Sequence, residues 1–115
     1  VTTPPGSKPD RRNRELRFSF GRNWRSYLDR ALDQDRIASA KGSLQQLLGL
    51  TSLGGRTFLD VGCGSGLFSL AALLLGADKV VAFDFDPESV QASRELRSRA
   101  GFSPERWAIS QGSIL

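Results

Sequence analysis

Histidine is absent from this chain and cysteine occurs once, at Cys63. The first absence excludes histidine-based catalytic triads and histidine-ligated metal sites, so no bound metal is expected; the second excludes an internal disulfide. No residue close to Cys63 in sequence supplies a base, which argues for a small loop residue there and against a nucleophile. Long apolar runs are missing too. Nothing approaches the roughly 18 consecutive apolar residues of a membrane span, and the first residues lack an apolar stretch followed by a small-residue cleavage site. A cytoplasmic protein without a membrane partner is expected.

What remains is enough for one small domain: 115 residues, 39% of them hydrophobic, can bury a real core. The net charge of +4 is unevenly placed. Residues 1–30 hold eight Lys or Arg against Asp10, Glu15 and Asp29, whereas residues 31–115 hold eight against nine acids. The basicity belongs to the leading segment. Such an arm suits nucleic acid or another anionic surface. A solvated tail that aids solubility also explains it and is the preferred reading.

The informative stretch is Arg56 to Leu75, RTFLDVGCGSGLFSLAALLL. A short buried strand over Thr57–Val61 runs into a loop with glycines at 62, 64 and 66, and then into an apolar helix over Leu67–Leu75. Glycines at alternate positions let the backbone turn sharply and approach a ligand, because no Cβ intervenes. A single tight turn would need only one of them. The helix behind leaves its first N–H groups unpaired, with a positive dipole end facing that space. This is a site for a nucleotide-like ligand.

Spacing and charge narrow the choice. The dinucleotide pattern G-x-G-x-x-G requires glycine where Leu67 stands, and no Gly-Lys-Ser/Thr follows for a phosphate loop. NAD(P)-linked oxidoreduction is therefore disfavoured. Asp60, at the mouth of the loop, suits a cationic or amine-bearing ligand better than a pyrophosphate. A second strand, Lys79–Asp84, ends in a carboxylate 22 positions after Gly62, about the ~20-residue separation at which Rossmann-like folds place an acid on ribose hydroxyls.

LDVGCGSG followed by VVAFDFDPES resembles motifs I and II of class I S-adenosylmethionine-dependent methyltransferases, and the likeness runs from about Leu44 onward. It implies S-adenosylmethionine as cofactor, with Asp60 near its methionine part, Gly62, Cys63, Gly64 and Gly66 forming the backbone surface beneath it, Asp84 on the ribose and Phe85 against the adenine. Where the family has a Gly-Asp pair after the third strand, this chain has Gly112-Ser113; Ser113 would accept from the adenine amine and Ile114 would cover the ring. The reaction implied is in-line displacement of the methyl group onto an acceptor of unidentified class. No catalytic base is named by the sequence. A non-catalytic cofactor-binding module acting through a partner is the alternative.

Taken in order, residues 1–16 read as a disordered basic tail. Residues 17–31 interleave Phe18, Phe20, Trp24, Tyr27 and Leu28 with arginines, an arm or lid whose aromatics suit base stacking or anchoring on the domain; anchoring is preferred. Residues 32–115 form the cofactor domain. Within it, a helix over Asp33–Leu48 carries Ile37, Ala40, Leu44, Leu47 and Leu48 on one side. Asp86 and Pro87 open a helix that ends at Ala100, with Val90, Leu96 and Ala100 toward the sheet and Arg94, Glu95, Arg97 and Arg99 toward water. A third strand spans Arg106–Gln111. Strands alternating with helices predict a doubly wound parallel sheet of the Rossmann-like α/β class, in order 3-2-1, with the ligand at the carboxyl ends. Three strands are fewer than the family's usual seven, so a fragment of a longer enzyme is expected. An unpaired apolar edge on the first strand predicts self-association.

Overall fold

The computed structural model describes residues 33–112. Helix α1 (Gln34–Leu48) starts where the Asp33 carboxylate accepts from the Asp35 and Arg36 amides, at 2.7 and 3.4 Å. This cap satisfies two of the donors a helix start leaves unpaired. Gly49, at φ +67°, ends it in the left-handed conformation. Strand β1 (Thr57–Val61), helix α2 (Leu67–Leu74), strand β2 (Lys79–Asp84), helix α3 (Pro87–Ala100) and strand β3 (Trp107–Gln111) follow in strict alternation. The Asp86 carboxylate caps α3 through the Glu88 amide at 3.0 Å, with Pro87 in its first turn.

The strands form one parallel sheet in the order β1-β2-β3, as the alternating pattern predicts. Register puts Phe58, Asp60, Val80, Ala82, Asp84, Trp107 and Ile109 on one face. Helix α2 lies against β1 and β2, α3 lies against β2 and β3, and α1 packs on α2. The resulting core joins Leu70, Ala71, Val80, Val90, Leu96 and Trp107, among others. On the opposite face Leu59 and Val61 stay 57% and 49% exposed. Because side chains alternate along a strand, covering one face leaves every second residue of β1 uncovered.

Two expectations need correction. Leu47 is 81% exposed and Leu48 is also exposed, so the buried stripe of α1 is Ile37, Ala40 and Leu44. Packing on a single helix buries a narrower stripe than packing on a sheet. Arg94 and Arg97 do not simply face water: they donate to the Ile109 and Trp107 carbonyls at 3.2 and 3.0 Å. The Val80 amide donates to the Arg106 carbonyl, so alternation along β3 turns the carbonyls of Trp107 and Ile109 to the outer edge. The two arginines cover that edge. The tail over residues 1–16, the arm over 17–31, Ser113 and Ile114 lie outside the described residues.

Candidate functional site

The loop between β1 and α2 is built on backbone conformations that only glycine adopts freely. Gly62, Gly64 and Gly66 have φ of +71°, +52° and +89°, so all three positions exploit the missing Cβ. Gly66 is constrained twice, since a Cβ there would also stand 3.0 Å from Ser93 Oγ and 3.2 Å from Trp107 Cζ2. The loop is fastened to β2: the Gly62 and Cys63 amides both donate to the Phe83 carbonyl, at 2.8 and 3.1 Å. Gly66 then opens α2 and, having no side chain, makes no cap hydrogen bond to it. Its first-turn N–H groups face the loop with the positive end of the helix dipole.

The two strand-end carboxylates converge on this loop. Asp60 and Asp84 lie on the same face of neighbouring strands and both are buried. Asp60 Oδ2 accepts from Ser69 Oγ at 2.6 Å. Burial pushes the Asp60 carboxyl above the ordinary carboxylate range; the Ser69 hydrogen bond opposes the rise and the nearby Asp84 charge adds to it. Asp84 Oδ2 accepts from the Gly64 amide and Oδ1 from the Asp86 amide, each at 2.9 Å. Each carboxylate oxygen has a second lone pair, so the pair can still accept from two vicinal hydroxyls.

Phe85 follows Asp84 and is 77% exposed, an uncovered aromatic side chain just past the end of β2. The Gly112 amide donates to the Asp84 carbonyl at 2.9 Å, which ties the end of β3 to the same rim. Cys63 turns inward: its side chain is buried and Sγ lies 3.4 Å from Ser93 Oγ. Burial pushes its thiol up to about 11, so the group stays protonated and unreactive.

Ser69 and Ser93 were not singled out by sequence reasoning. Both carry a signal in retrospect. Ser69 is the single polar residue of LFSLAALL, and Ser93 falls midway between Val90 and Leu96 on the buried stripe of α3. A hydroxyl in an apolar stripe must find a partner once buried.

The sequence profile of the family described as ribosomal protein L11 methyltransferase (PrmA) matches residues 38–112. The chain belongs to this family. Residues in it are 51% identical over 57 positions to the ribosomal protein L11 methyltransferase of Pseudomonas paraeruginosa, covering 50% of this chain and 19% of that protein. The Klebsiella pneumoniae protein of the same name is 52% identical over 60 positions, covering 52% and 20%. The matched segment thus spans about one fifth of the length of these relatives. Among solved structures, ribosomal protein L11 methylase from Lactobacillus delbrueckii subsp. bulgaricus superposes with a TM-score of 0.53 at 28% identity, over 73% of this chain and 41% of that one. The Trypanosoma brucei PRMT1 enzyme–prozyme complex, solved with AdoHcy, superposes with a TM-score of 0.55 at 26% identity, over 81% and 28%. The Rossmann-like methyltransferase fold of the family accounts for the parallel sheet and its flanking helices.

Proposed function

We propose that this chain holds S-adenosylmethionine on the β1–α2 loop and serves transfer of its methyl group to a protein acceptor, ribosomal protein L11, as the names of the relatives suggest. The observation that carries this reading is the convergence of two buried strand-end acids on a loop of three positive-φ glycines, ahead of the N-terminus of α2. The fit is chemical. A side-chain-free surface admits the cofactor, the acids favour its positive sulfonium and ammonium groups, and the remaining lone pairs of Asp84 match two ribose hydroxyls.

Bound there, S-adenosylmethionine supplies a methyl group already activated by its sulfonium. The protein's share is to position and to exclude water, which carries much of the rate in such a displacement. Asp84 fixes the ribose, and the glycine loop sets the depth at which the cofactor lies. Phe85 packs on the adenine, with Ser113 and Ile114 assigned to the same ring. Asp60, oriented by Ser69, faces the methionine part and holds it by charge; no proton transfer is assigned to it.

Calorimetry with S-adenosylhomocysteine, NAD and ATP tests the cofactor assignment: S-adenosylhomocysteine binds and the other two do not. Incorporation of labelled methyl groups into purified L11 tests the acceptor. Binding without incorporation would make the chain a cofactor-binding module that works through a partner. Binding of NAD in preference to S-adenosylhomocysteine would sink the reading.

A further inference from the structure

We propose that Ser93 of α3 is a positioning residue for the cofactor surface, fixing the Gly64 peptide from beneath the loop. The inference rests on the cofactor reading above. Ser93 is fully buried, and its hydroxyl donates to the Gly64 carbonyl at 2.8 Å. A serine hydroxyl has one proton. With that proton committed, the 3.4 Å contact to Cys63 Sγ runs from thiol to hydroxyl, which the protonated state of the buried thiol permits. A relay Cys63 S–H to Ser93 O–H to Gly64 C=O results, with no slack in its direction.

The other side of Gly64 is held by the acid assigned to the ribose, since the Gly64 amide donates to Asp84 Oδ2 at 2.9 Å. The two peptide groups that flank the Gly64 Cα are therefore anchored to different elements, one to β2 and one to α3. Glycine at φ +52° has no side chain to restrain it and the widest range of alternative conformations. These two bonds restrain it directly. Ser93 also packs under Gly66, where its Oγ would stand 3.0 Å from an added Cβ. One side chain thus sets the height of two of the three loop glycines, and loss of its hydroxyl leaves the buried Gly64 carbonyl without its donor.

The test compares Ser93→Ala, Ser93→Cys and Leu96→Val in the intact chain by calorimetry with S-adenosylhomocysteine, at a temperature where circular dichroism shows each fully folded. Leu96 is buried on the same helix face; its side chain has no polar atom, so trimming it loosens the core without removing a hydrogen bond to the loop. Ser93→Ala is expected to weaken binding about tenfold, the size of one lost buried hydrogen bond. Ser93→Cys, which keeps a weaker donor, should recover part of that loss, and Leu96→Val should bind as the parent does. Parental affinity in Ser93→Ala, or equal weakening in Ser93→Ala and Leu96→Val, would overturn the inference and leave Ser93 a packing residue. If Ser93→Ala does not fold, Ser93→Cys carries the test, and parental affinity there overturns it. Failure of the parent itself to bind removes the cofactor reading, and this inference with it.

Discussion

Gly66 offers the sharpest test of the loop, because two separable costs meet at one position. Alanine at φ +89° must adopt the left-handed region, which costs an L-residue about 1–2 kcal/mol. Its Cβ would also stand 3.0 Å from Ser93 Oγ, 3.2 Å from Trp107 Cζ2 and 3.3 Å from Ser93 Cα. Relieving contacts of that kind in a filled core costs about 1–3 kcal/mol. Gly66→Ala should therefore destabilise by about 2–5 kcal/mol in all. For the described residues, at ~0.05–0.15 kcal/mol each, the whole stability is about 4–12 kcal/mol.

Gly101 supplies the control. It has φ +82° at the end of α3, and an added Cβ would meet nothing within 4 Å. Gly101→Ala carries the conformational cost alone. Urea unfolding of both variants isolates the packing part as a difference of about 1–3 kcal/mol, or roughly 4–24 °C in melting temperature for a domain of this size. Equal losses in the two variants would mean that Ser93 and Trp107 do not press on the loop. In the Ser93→Ala background the nearest atom is gone, so the Gly66→Ala cost should shrink, the non-additivity expected of touching residues.

The remaining predictions concern charge, ligand and surface. Asp84→Ala should weaken S-adenosylhomocysteine binding in calorimetry by at least tenfold, because it removes the ribose acceptor and frees the Gly64 amide; unchanged affinity refutes the ribose assignment. Asp60→Asn should weaken cofactor binding while leaving the melting temperature at neutral pH equal or higher. Burial raises the Asp60 pKa above 3.8, so the native state binds the proton more tightly than the unfolded chain does, and wild-type stability falls as pH rises through that window. The stability advantage of Asp60→Asn should grow upward from about pH 4 and level off above the raised pKa; a difference that is flat with pH would refute it. The intact chain should self-associate in gel filtration as its concentration rises, and Leu59→Asn on the open sheet face should reduce this. A monodisperse monomer at high concentration would count against it.

Much of this arrangement is legible in the sequence because the decisive signals are local. Glycine spacing and short apolar runs mark β1, the loop and β2, and Asp33 and Asp86-Pro87 mark helix starts through cap chemistry that involves only near neighbours. The missed features all depend on reach or on contacts distant in sequence. Helical spacing tells which way Arg94 and Arg97 leave α3, yet a long side chain can bend back along its stem, and both return to β3. Leu47 has the right spacing for burial and lacks only a covering neighbour among the described residues. Ser93 meets Gly64 across 29 residues of chain, a contact that no local pattern encodes. Sequence therefore identified the acids and glycines that meet at the loop, and not the hydroxyls that hold them in place.

The acids also connect folding to binding. Bringing Asp60 and Asp84 out of water on neighbouring strands opposes folding, through the lost hydration of Asp60 and through repulsion between two like charges. Ser69, the Gly64 amide and the Asp86 amide offset part of this, but each contributes a dipole and none a full positive charge. A ligand carrying a sulfonium or an ammonium group would bring a full positive charge to these two acids. A pyrophosphate entering the same loop would add negative charge beside the two carboxylates. On the cofactor reading proposed above, selectivity for a cationic nucleoside over NAD or ATP would draw on an electrostatic cost already present in the folded chain, and neutralising Asp60 should lower that cost and the selectivity together.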